Sequence, residues 1–105
     1  MADRIAVFEQ MLAAEPDNTM VMFGLAKEYE KAGDHEKVIE LLETYLNNAD
    51  DEGNAYGTLA RAYAASGQRE KAIDTYRRGI EVSMANGHPS MANDYRMTLD
   101  LEFED

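Results

Sequence analysis

Apolar residues return along this chain at spacings of three and four, the period of helices buried along one side. The first such run, about 2–15, carries Ile5, Phe8, Met11 and Leu12. Pro16, Asp17 and Asn18 end it and supply a side-chain oxygen to cap a second helix, about 19–32. That helix stops at Ala32 and Gly33, where glycine readily takes the left-handed conformation. Asp34 opens a third, about 35–48, with Val38, Ile39, Leu41, Leu42, Tyr45 and Leu46. A polar turn leads to a fourth, about 54–65, ended by Ser66 and Gly67. A fifth, about 69–85, runs through Ala72, Ile73, Tyr76 and Ile80 until Asn86, Gly87, His88 and Pro89 break it. The sixth starts near Ser90 and places Met91, Tyr95 and Leu99 one turn apart. No alternating run is long enough for a strand, so the pattern predicts an all-α protein of about six helices.

The helices are copies of one another. Leu25 returns as Leu59, Ala26 as Ala60, Tyr29 as Tyr63 and Gly33 as Gly67, all at a spacing of 34 residues. Glu36, Lys37 and Ile39 return as Glu70, Lys71 and Ile73 at the same spacing, and Lys27 and Glu40 keep their charge as Arg61 and Asp74. A fixed period of this size marks stacked helical pairs, each too small to cover its own apolar face. The prediction is a right-handed α-solenoid.

These residues resemble tetratricopeptide repeats, whose unit is a two-helix hairpin. The resemblance puts the packing positions of the first helix at Met22, Leu25, Ala26 and Tyr29, then at Tyr56, Leu59, Ala60 and Tyr63. On the second helix they fall at Val38, Leu42 and Tyr45, then at Ala72, Tyr76 and Gly79. It divides a single domain over 1–105 into a half-repeat helix at 2–15, repeats at 19–52 and 53–86, and a capping helix at 90–103. The usual small residue on the second helix is present only as Ala72, and the closing proline is missing from both units. In the last helix strict periodicity would bury Ser90, Asn93 and Asp94, an unfavourable choice without partners. A slip of two residues turns Ala92, Tyr95 and Leu99 inward instead. The acids from Asp100 to Asp105 gather at the negative end of the helix dipole, so the last residues are expected to fray.

The charge balance narrows the partners. With 21 acidic and 10 basic residues the formal net charge is −11, which repels nucleic acid and anionic membranes. The acidity reads as a solvated surface or as adaptation to high salt. No cysteine is present, so disulfides and thiolate metal sites are excluded. The opening residues lack the marks of a secretory signal, and no apolar run approaches the ~20 residues of a membrane span. A cytoplasmic protein is expected.

If Met22, Leu25, Ala26 and Tyr29 face inward, then Met20, Phe23, Lys27 and Lys31 form another stripe of the same helix. The repeat carries this stripe to Asn54, Gly57, Arg61 and Ala65. The resemblance implies that it lines a concave groove where extended peptides bind. Two readings stand for each part. Lys27 and Arg61 either meet a carboxylate-bearing partner or pair with Glu30 and other surface acids. Phe23 and Met20 either anchor a ligand or pack on the N-terminal helix. Gly57 either leaves room for a ligand or relieves crowding. The family's carboxylate clamp wants a basic residue where Phe23 and Gly57 stand, and asparagine where Lys27 and Arg61 stand, so it does not carry over.

Catalytic chemistry is not indicated. His35 and His88 have no ligand spacing, and the segment from Asn48 to Gly53 mimics a calcium loop whose final position is Leu59 rather than glutamate. No cofactor is implied. The resulting expectation is a non-catalytic protein-binding scaffold working through the repeated stripe. The alternative is a structural module that self-associates, because Ile5, Val7, Phe8 and Met11 lack a hairpin partner and a symmetric dimer would cover them.

Overall fold

A computed structural model describes residues 3–103. It contains six helices: α1 (Arg4–Ala14), α2 (Thr19–Ala32), α3 (His35–Asn48), α4 (Asn54–Ala65), α5 (Arg69–Ala85) and α6 (Pro89–Glu102). No strand occurs among the described residues. The chain divides into two compact units, Met1–Asp50 and Asp51–Asp105. The first expected helical residue, at 2, and the end of the expected fraying, at 104–105, lie outside the described residues.

In the first unit α1 packs on α2, and α2 on α3. Helix α1 begins at Arg4 because Asp3 stands before it as the cap, its carboxylate accepting from the Ile5 N–H at 3.0 Å. Asn18 and Asp34 cap α2 and α3 in the same way, accepting from Val21 and Lys37 N–H at 3.2 Å each. Val21, Met22, Leu25 and Ala26 of α2, with Val38 and Leu42 of α3, are buried. Phe23 lies against Tyr45 with ring centroids 5.4 Å apart. Helix α1 contributes no buried residue; its Phe8 ring rests on Gly24, where a β-carbon would stand 3.1 Å away.

In the second unit α4 packs on α5, and α5 on α6. Leu59, Ala60 and Tyr63 of α4 and Ala72 and Tyr76 of α5 are buried, the places held one repeat earlier by Leu25, Ala26, Val38 and Leu42 among others. The turns repeat as well. Gly33, with φ 79°, precedes an Asp34 N–H that donates to the Tyr29 carbonyl at 3.0 Å. One repeat on, Gln68 N–H donates to the Tyr63 carbonyl at 2.8 Å. Both are helix ends in which a left-handed residue lets the chain satisfy a carbonyl of the last turn.

Helix α6 begins on Pro89, whose missing N–H has no helical partner to lose at that position. It turns Ala92 and Tyr95 inward, with Leu99 packed beside them, and leaves Ser90, Asn93 and Asp94 exposed. This is the two-residue slip, and burial of apolar rather than polar groups is its cause. Tyr76 stands between the rings of Tyr95 and Phe103, each 5.7 Å away. Arg69 closes the end of α6 by donating to the Phe103 carbonyl at 2.6 Å.

Candidate functional site

The stripe on α2 is mixed in character. Met20, at its N-terminal end, is 83% exposed. Phe23, one turn on, is half-buried, with its ring against Tyr45 of α3. Lys27 pairs with Glu30 at 3.0 Å, and Lys31 with Glu28 at 3.4 Å. Glu28 also receives Arg4 of α1 at 3.2 Å. The cations of this stripe therefore sit among their own carboxylates.

The corresponding residues of α4 have a different environment. Asn54 and Arg61 are exposed, and Arg61 donates to the Thr58 hydroxyl at 3.3 Å. Gly57 is buried. A β-carbon there would stand 2.7 Å from the Tyr95 ring, and one at Gly79 of α5 would stand 2.9 Å from its other edge. The room beside Gly57 thus belongs to Tyr95, and the glycine relieves crowding.

Tyr95 does more than fill space. Its hydroxyl donates to the Gly53 carbonyl at 2.6 Å and accepts from the Gly57 N–H at 3.1 Å. Burial raises this phenol above its ordinary pKa, while the Gly57 bond and the charge of Arg61 act in the opposite direction. Burial likewise raises Tyr76. Gly53 itself has φ 131°, a conformation suited to glycine, and a β-carbon on it would collide with the Ser83 hydroxyl. Asp51 caps the start of α4, accepting from Gly53 and Ala55 N–H at 2.8 and 3.1 Å. His88 meets Glu52 at 2.6 Å. Within the calcium-loop mimic, Asp51 thus serves as a cap and Glu52 as the hydrogen-bonding partner of His88.

Among the described residues, no group of three or more histidine, aspartate and glutamate side chains is placed to hold a metal ion. No helix among them is long and apolar enough to cross a membrane.

A family model described as a tetratricopeptide repeat matches residues 1–84, over the helices and turns just described. The chain belongs to the tetratricopeptide repeat family. It is similar to a TPR repeat-containing protein of Pseudomonas aeruginosa, with 30% identity over 79 residues, which is 75% of each chain. Domains of this family generally bind proteins or peptides, so membership points to a protein–protein interaction module.

The role of Tyr95 is only half visible in the sequence. Its inward direction follows from the apolar spacing of α6, but its two glycine neighbours are 38 and 16 residues away. The signal available is the pair itself: Gly57 and Gly79 are both interruptions of otherwise helical runs. Two such gaps ask for a large side chain to fill them.

Proposed function

We propose that this tetratricopeptide repeat chain is a non-catalytic scaffold that docks a protein or peptide segment on the α2 stripe of Met20, Phe23, Lys27 and Lys31. The exposure of Met20 carries the proposal: a large thioether is left in water, one turn from an aromatic ring, on a helix otherwise well packed. The segment would place an apolar side chain against Met20 and the open edge of Phe23. A carboxylate on the same segment would compete with Glu30 for Lys27 or with Glu28 for Lys31. Exposed ion pairs contribute under ~1 kcal/mol, so the apolar contact supplies affinity and the charge supplies preference. Asn54 and Arg61 are the candidates on α4; Gly57 is left out because Tyr95 occupies its side. The proposed setting is the cytoplasm, where an acidic surface keeps a small module dispersed.

Titrating the labelled chain with pools of acidic and of basic peptides, while recording amide shifts, tests the reading. Acidic peptides should move α2 amides at lower concentration than basic ones. Met20→Ala should weaken that binding roughly fivefold, about 1 kcal/mol. Shifts confined to α3 and α5, or stronger binding of basic peptides, would contradict it.

A further inference from the structure

Helix α1 carries a second surface, separate from the α2 stripe. It has no buried residue, and one flank, beside the Phe8 and Arg4 contacts with α2, holds a shallow apolar hollow lined by Arg4, Val7, Phe8 and Met11. Val7 is 53% exposed and Met11 44%. These four residues lie at i, i+3, i+4 and i+7, one continuous face of the helix. Glu15 follows one turn after Met11, at the C-cap. The face therefore runs from a cation through three apolar side chains to an anion.

Such a face is complementary to itself when a second copy is laid antiparallel along it. A two-fold axis near the middle sets Phe8 of one copy opposite Met11 of the other, and Arg4 opposite Glu15, once at each end, with Val7 beside the axis. The same arrangement runs the two helix dipoles in opposite directions, which is the favourable sense. Arg4 is largely exposed; it meets Glu28 through Nε at 3.2 Å, and its guanidinium carbon lies 5.7 Å from the centre of the Phe8 ring. Asp3, the other charge at that end, is turned back on the Ile5 N–H. A parallel arrangement would set arginine on arginine and glutamate on glutamate.

We infer that the occupant of the α1 hollow is a second copy of this chain, paired antiparallel through Arg4, Val7, Phe8, Met11 and Glu15. The remaining surface is strongly acidic in both copies, so long-range repulsion opposes the approach and keeps the association weak at low salt.

Sedimentation of the full chain from low micromolar to submillimolar concentration, at moderate salt, is the test. The weight-average mass should climb from 11.8 kDa towards twice that value. Met11→Glu should weaken association at least tenfold, as should Arg4→Glu and Glu15→Arg taken singly. The double exchange Arg4→Glu with Glu15→Arg should recover most of the loss, since the two-fold pairing survives reversal of both signs. Circular dichroism of each variant confirms that the helices persist. Recovery by the double exchange separates this pairing from a structural role, because the Arg4–Glu28 contact within one chain is not restored by it. A constant 11.8 kDa species at every concentration overturns the inference, and would leave the hollow to a different partner. So would a dimer indifferent to Met11→Glu, or a double exchange no better than its weaker parent.

Discussion

Tyr95 joins three helices of the second unit through one side chain. Its ring lies between Gly57 of α4 and Gly79 of α5, and its hydroxyl holds the Gly53 carbonyl and the Gly57 N–H. Tyr95→Phe keeps the ring and removes the hydroxyl, leaving two backbone groups in a buried place without this partner. The expected cost is about 1–3 kcal/mol in chemical denaturation. The same residue sets an alkaline limit. Its folded pKa is raised, so the folded chain holds the phenolic proton more tightly than the unfolded one. That contribution is complete below the unfolded value, about pH 10, and is lost as pH rises through the folded value. Unfolding free energy should fall across this window, less steeply in Tyr95→Phe, where the burial-raised Tyr76 still contributes. Stability that rises with pH there would refute the assignment. Ser83 is the counter-example at this scale: its hydroxyl is fully buried with no hydrogen-bond partner among the described residues, close against Gly53.

Among the elements, α1 stands apart. Helices α2 and α3 share an interior of Val21, Met22, Leu25, Ala26, Val38 and Leu42, whereas α1 only half-buries Ile5, Phe8 and Leu12 and meets its neighbour at contacts that include Phe8 on Gly24 and Arg4 on Glu28. An isolated helix of 11 residues is marginal in water, and this one has little packing to hold it. Amide exchange at low protein concentration should therefore be fastest in α1 and slowest in α2 and α4. Equal protection of α1 and α2 would show that more holds α1 than these contacts. Helix bounds are well marked in the sequence. Asn18, Asp34 and the glycines at 33 and 67 are local signals, read by the residues beside them, and each sits where the punctuation puts it. At the N-terminus of α1 the cap is Asp3, a polar residue that the apolar spacing by itself does not mark.

For the molecule as a whole, charge outweighs any single contact. The ion pairs of Arg4, Lys27, Lys31 and Lys37 engage only some of 21 acids, and the net charge stays at −11. Compact folding concentrates that charge, so screening should stabilise the native state. Raising salt from millimolar levels to a few tenths molar should lift the melting temperature by several degrees, since each kcal/mol corresponds to about 4–8 °C at this size. A melting temperature that falls with salt would mean that the ion pairs outweigh the repulsion.

Local order is written in the chain directly. The 3.6-residue apolar period, the caps and the 34-residue return of Leu25, Ala26 and Tyr29 all depend on residues close in sequence or on simple repetition. They suffice for the helices, the all-α class and the tetratricopeptide repeat family. What neighbours Gly57 is a different matter, as is the ring of Tyr45 that Phe23 meets. Those outcomes turn on side chains many residues apart competing for the same few ångströms, and only the packed structure assigns each gap to one of them.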